Sequence, residues 1–242
     1  FKRCFTYDVK WTQDKEGKHR VGEESEGIEI TDSQTGVTIK INCKKPSEGH
    51  KTLGCVKNPN MNSRLQAREI KKKADRLSQL TCTYGLSRST IQLAYSSVFL
   101  PAIQYALVSS YIPKRDLDSA QAKATKRFLP AMGYHPNMPR TVVYAPKHLG
   151  GLGLQRLHTN QGVRNVTQML KHLRAGTTVG KLFRIDIDWL QRWAGVGRCI
   201  MRRPDIDIPP TSAKFLTEIR KFLTMSKASI EMKEDPKKLR AG

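Results

Sequence analysis

Acidic residues are scarce. Only 21 Asp and Glu stand against 43 Lys and Arg in 242 residues, a formal net charge of +22. So one-sided a chain disfavours cationic partners and points to a polyanion. Cysteine is sparse as well. The five cysteines are odd in number and hold no Cys-x-x-Cys pair, which excludes a disulfide framework and a zinc ribbon. That usage suits a reducing, intracellular compartment, nuclear or cytoplasmic. Aromatics amount to 7% and are not interleaved with the basic residues, which argues against a platform that stacks single-stranded bases. Hydrophobic residues, at 38%, still suffice for a core.

Catalytic signatures are also missing. His148, His158 and His172 have no Cys or carboxylate at ligand spacing. Neither a Gly-x-Ser-x-Gly elbow nor a Cys–His signature occurs. Gly150, Gly151 and Gly153 match neither the dinucleotide nor the P-loop pattern, so they read as a tight turn into a helix. The Asp-x-Asp pairs are Asp116/Asp118, Asp186/Asp188 and Asp205/Asp207. In a helix such residues sit roughly 200° apart and cannot share a metal ion. The first two pairs fall in expected helices and the third in a Pro-flanked linker, so all read as solvated or capping carboxylates.

What is present begins with strands. The chain opens at Phe1 with no signal-peptide pattern and reads at once as a strand through Cys4–Trp11, as though it starts inside a domain. Residues 13–27 read as a polar, acidic surface loop. Residues 27–43 read as a hairpin, with Ile28 and Ile30 alternating before the turn and Val37, Ile39 and Ile41 after it. Residues 51–57 (KTLGCVK) read as another short strand.

After Asn58-Pro59-Asn60 the hydrophobic period changes from 2 to 3.6. Residues 61–82 are expected to form a helix with Ala67, Ile70, Ala74 and Leu77 inward, and Arg64, Arg68, Lys71 and Lys72 on the opposite side. Residues 87–111 form a helix, uncharged after Arg88, capped by Ser87 and kinked at Pro101. The uncharged run Ser89–Ile112 is long enough to span a bilayer. However, Gln92, Gln104, Pro101 and five serines within it fit the interior of a helical domain better, so no membrane is expected. Residues 114–129 form a helix with Leu117, Ala120, Ala124 and Phe128 on one face and Lys123, Lys126 and Arg127 elsewhere. Thr141–Tyr144 reads as extended. Residues 160–174 form a helix with Val163, Val166, Leu170 and Leu173 at a/d spacing, and residues 178–200 another, with Trp189 and Trp193 one turn apart. Residues 211–232 form a last helix, followed by a frayed tail from Lys233.

The charge is uneven along this plan. Residues 1–56 carry a net of +1, residues 57–174 a net of +15 and residues 175–242 a net of +6. These segments serve as the expected domains. The architecture expected is α+β and mostly α, a small antiparallel β part followed by a basic helical part and C-terminal helices. Two basic helices, one with Arg64, Arg68, Lys71 and Lys72 and one with Lys123, Lys126 and Arg127, can flank a duplex and grip its phosphates. With about six contacts, affinity should fall about a thousandfold between low and moderate salt.

Several segments, in this order, resemble a known family. Lys2-Arg3-Cys4-Phe5, the acidic loop, the hairpin, His50-Lys51-Thr52-Leu53-Gly54 and the basic helix look like the end of the palm and the thumb of a non-LTR retrotransposon reverse transcriptase. Pro146-Lys147-His148-Leu149-Gly150-Gly151-Leu152-Gly153-Leu154-Gln155-Arg156-Leu157 resembles the P-K-x-x-G-G-L-G-L-x-x-L segment downstream of that thumb. Phe128-Leu129-Pro130, Met138-Pro139-Arg140 and Val143-Tyr144-Ala145-Pro146 are similar to retroelement-derived frames. The chain departs from the family in lacking its aromatic-x-Asp-Asp signature, since Val9 follows Tyr7-Asp8, and in lacking a Cys/His knuckle.

The resemblance implies residues 1–56 as the end of a palm, 57–174 as a thumb with the Gly-rich turn, and 175–242 as a C-terminal helical region. It implies the template–primer-binding part of an RNA-directed DNA polymerase, inactive alone. Leu53 and Gly54 would be the primer grip beside Lys51, and an RNA–DNA or DNA duplex the partner. Mg²⁺ and the catalytic carboxylates would belong to an N-terminal polymerase region, with no cofactor in this chain. The alternative is a retroelement-derived basic protein that binds nucleic acid without being an enzyme.

Overall fold

The computed structural model describes residues 5–13, 19–21, 27–31, 33–60, 62–208 and 214–232. The chain is α+β and mostly α, with short two-stranded sheets preceding a series of helices. It forms two compact units, residues 1–152 and 153–242. The units do not follow the charge segments. The hairpin at residues 50–57 packs on the first helix across the expected boundary at 56, and residues 157–175 pack with the helices that follow them.

In the first unit, β1 (Thr6–Tyr7) pairs in parallel with β6 (Cys43–Lys44). β2 (Trp11–Gln13) pairs antiparallel with β3 (His19–Val21). The expected N-terminal strand is therefore two strands, and residues 19–21 within the expected acidic loop are paired. Cys4 and residues 14–18 and 22–26 lie outside the described residues. β4 (Ile28–Thr31) and β5 (Thr38–Ile41) form the expected hairpin.

β7 (His50–Thr52) and β8 (Cys55–Lys57) replace the single strand expected at 51–57. Leu53 and Gly54 form the turn between them, with φ of 48° and 83°. Positive φ at both central residues is the two-residue hairpin geometry whose twist matches that of the strands. Gly suits its position. Leucine in the left-handed region costs about 1–2 kcal/mol.

α1 (Arg64–Thr83) buries Ala67, Ile70 and Ala74, as the helical period requires, with Leu77 half-buried. Ser87 caps α2 (Arg88–Ala94) by accepting from the Thr90 N–H at 3.2 Å. A π-turn (Tyr95–Phe99) leads into α3 (Leu100–Ser109). The π-turn is the physical form of the break expected near Pro101. Proline lacks an N–H and crowds the preceding turn, and a widened turn relieves both faults. Arg88–Ser109 is long and apolar enough to cross a membrane, yet 44% of its apolar window is buried inside the protein.

α4 (Lys114–Ala131) buries Leu117, Ala120, Ala124 and Phe128 as expected. Phe128 meets the rings of Tyr95 and Phe99 edge-on at 5.1 Å, so one aromatic cluster joins the π-turn to α4. Burial pushes the Tyr95 phenol well above its usual pKa.

Residues 140–144 are helical (α5, Arg140–Tyr144), not extended. Pro139 stands just before the first turn with φ preset, its carbonyl accepts from the Val142 and Val143 N–H groups, and Val143 is fully buried. The β-branched bias of Thr141, Val142 and Val143 yields to that start signal and to burial. The Gly-rich segment is the expected tight turn. Gly150 has φ of 79° and ends a 3-10 turn at Lys147–Leu149. A Cβ at Gly151 would fall 2.1 Å from the Ala145 carbonyl oxygen, so only glycine fits there.

The second unit contains α6 (Leu157–Ala175), α7 (Thr178–Trp193) and α8 (Lys214–Met225). Met169, Leu173, Ile187, Leu190, Leu216 and Ile219 form its core. The expected a/d seam on α6 is displaced. Leu157, Gln161, Asn165, Met169 and Leu173 are buried, whereas Val163 is half exposed. The reason is Gly162, where a Cβ would meet the Phe222 ring at 2.2 Å. The small residue admits α8, and its polar neighbours are buried with it.

α7 ends at Trp193, short of residue 200, because Gly195 takes φ of 64°. α8 ends at Met225, short of residue 232. Lys227 is left-handed there and the Ala228 N–H reaches back to the Leu223 carbonyl at 2.9 Å, the bond pattern that closes a helix C-terminus. Buried Arg220 donates to the Ile200, Arg203, Pro204 and Ile206 carbonyls, pinning the connection before α8. The tail from Lys233 and residues 209–213 lie outside the described residues.

Candidate nucleic-acid interface

The hairpin β7–β8 is held from two sides. Buried Gln66 of α1 accepts from the Val56 N–H at 2.5 Å. Ser109 at the end of α3 donates to the Cys55 sulfur at 2.8 Å. Gly49 permits the close approach, since a Cβ there would fall 2.5 Å from Val56 and 2.7 Å from Leu65. These ties fix the Leu53–Gly54 turn beside a cleft between α1 and α3.

The cleft has a volume of about 480 Å³. Lys51, Lys72, Lys73 and Arg76 line it, with Glu69 as the one carboxylate in the lining. Glu69 sits 3.3 Å from Lys72 at the exposed surface, a pairing worth little once a phosphate competes. Lys73 donates from its ammonium to the Ala102 carbonyl at 2.6 Å, which holds that cation against α3. Ile70, Ile103 and Ala106 give the cleft an apolar floor. Tyr105 projects beside the turn, more than half exposed, and a Cβ on Gly54 would be 3.7 Å from its ring.

The expected site residues divide. Gly54, Lys51 and Lys72 line the cleft, and Leu53 stands at the tip of the adjoining turn, 83% exposed. Arg64, Arg68 and Lys71 are exposed along α1 but outside the lining. Lys126 is exposed on α4. Lys123 and Arg127 both meet Asp75 on α1, the former at 3.1 Å. Arg127 also donates to the Asp75 carbonyl and the Ser78 hydroxyl. Its guanidinium is thus occupied in joining α4 to α1. The hydrogen bonds from Arg127 and Lys123 hold the Asp75 carboxyl below the usual carboxylate range.

Sequence reasoning missed Lys73, Arg76 and Tyr105. Arg76 follows Lys72 by one helical turn, and that i, i+4 step was the available signal. Tyr105 had none, because fifty-four residues separate Lys51 from it. Among the described residues no group of three His, Cys, Asp or Glu could hold a metal ion. Comparison with family models, curated proteins and solved structures finds no match to this chain.

Proposed function

We propose that the first unit holds a nucleic-acid duplex by its phosphates, as the template–primer-binding part of a reverse transcriptase-like polymerase. The observation that carries this reading is the meeting of Lys51, Lys72, Lys73 and Arg76 in one cleft beside the Leu53–Gly54 turn. Four cations from two elements focus positive potential where a backbone can be bound, and the exposed Arg64, Arg68 and Lys71 extend it along α1. The resemblance of the Leu53–Gly54 region to a primer grip agrees with that location.

Phosphate contacts carry no base code, so binding is expected to be blind to sequence and tolerant of RNA–DNA hybrid. Bond formation, with its Mg²⁺, is assigned to another part of the polymerase. Anisotropy titration with labelled hybrids of unrelated sequence tests this reading. Equal affinities that fall steeply with salt are expected, together with no nucleotide incorporation by this chain alone. Strong preference for one sequence, salt-independent affinity, or nucleotide addition would overturn it.

A further inference from the structure

The cleft is built for more than a backbone. Its volume of about 480 Å³ lies in the range of roughly 300–1,000 Å³ that suits a small organic ligand, and a whole duplex cannot enter it. Phosphate binding alone requires neither its apolar floor nor an aromatic ring. Yet Ile70, Ile103 and Ala106 form that floor, and Tyr105 stands at 58% exposure against the glycine of the turn. No other ring contacts Tyr105 among the described residues. Lys73 and Arg76 line the same space.

This is the set of groups that binds one nucleotide: a ring and an apolar surface for a base, and cations for its phosphate. We propose that the cleft accepts a single unpaired nucleotide at the end of a bound duplex, its base stacked on Tyr105 and its phosphate held by Lys73 and Arg76. The inference rests on the reading that this unit holds a duplex, and it adds a preference for an end with an overhang over a paired end. Stacking of one base on an aromatic side chain corresponds to roughly 5- to 150-fold in affinity.

The test uses the full chain and three hybrid duplexes of identical stem, each closed at one end by a hairpin loop. The open end is blunt, carries a one-nucleotide overhang, or carries an abasic overhang with the same phosphate. The overhang duplex is expected to bind roughly 5- to 150-fold tighter than the blunt one, and the abasic overhang to lose most of that gain. Tyr105→Ala should abolish the preference for the overhang, and Tyr105→Phe should keep it. Equal binding of blunt and overhang duplexes by the wild type would overturn the nucleotide site and leave duplex binding standing. Tyr105→Ala weakening all three duplexes equally would do the same, by making the ring a general support. Failure to bind any of the three would overturn both readings.

Discussion

Neutralising two cleft cations should change how binding responds to salt by a calculable amount. The cleft offers Lys51, Lys72, Lys73 and Arg76 to phosphate. On B-DNA each contact contributes about −0.9 to the slope of log K against log salt, so four contribute about −3.6 and lose roughly 150-fold in affinity between 50 and 200 mM salt. Lys51→Gln with Arg76→Gln removes two contacts and makes the slope shallower by about 1.8, leaving roughly a 12-fold loss over the same range from the other two. The difference between the slopes does not depend on how many of Arg64, Arg68 and Lys71 also touch phosphate.

Both altered residues are exposed, so stability should change by no more than about 0.5 kcal/mol. A B-DNA duplex ending in a one-nucleotide overhang, titrated by fluorescence anisotropy at four or five salt concentrations, gives both slopes. Lys51→Arg with Arg76→Lys keeps the charge and should restore the slope, which separates charge from packing. Parallel wild-type and double-Gln lines would refute the placement of the duplex at this cleft.

Other consequences concern the frame around the site. Leu53→Asn places a residue suited to left-handed backbone at the first turn position and should stabilise the first unit by about 1 kcal/mol in urea unfolding; a loss would show that Leu53 is not strained. Phe128→Ala should cost about 3–5 kcal/mol, because Phe128 is fully buried against Tyr95 and Phe99; a cost below about 1 kcal/mol would deny that cluster a central role. The lowered carboxyl of Asp75 stabilises the fold above the ordinary carboxylate pKa of about 3.9, and that contribution fades as pH falls through the lower folded value. Asp75→Asn should therefore flatten part of the stability loss below about pH 4 in pH-dependent thermal melts, and an unchanged acid limb would count against the tie to Arg127 and Lys123. Arg220→Met should destabilise the second unit by at least about 1.5–3 kcal/mol, since the Ile200 and Ile206 carbonyls lose a charged donor; thermal melts that coincide with the wild type would contradict the role of Arg220 in pinning residues 200–206.

Much of the fold can be read locally. The inward faces of α1 and α4, the Ser87 cap, the β4–β5 hairpin and the glycine turn at 150–151 follow from periodicity, capping and backbone conformation, and the structure has them all. Those features depend on interactions within a few residues, so the order of residue types determines them. Local signals were insufficient where neighbours decided. Thr141–Tyr144 carries β-branched residues but is helical, because Pro139 starts the turn and Val143 is buried. On α6 the buried stripe moves off Val163, because Gly162 lets α8 approach.

The sequence by itself determined that a strongly cationic helix follows the Leu53-Gly54 segment. Only the tertiary structure brought Lys51, Arg76 and Tyr105 around one cleft and set Asp75 against Arg127 and Lys123. The physical reason is distance along the chain. A helical wheel orders residues three and four apart, whereas a charge gains or loses its freedom according to groups fifty residues away that packing places beside it.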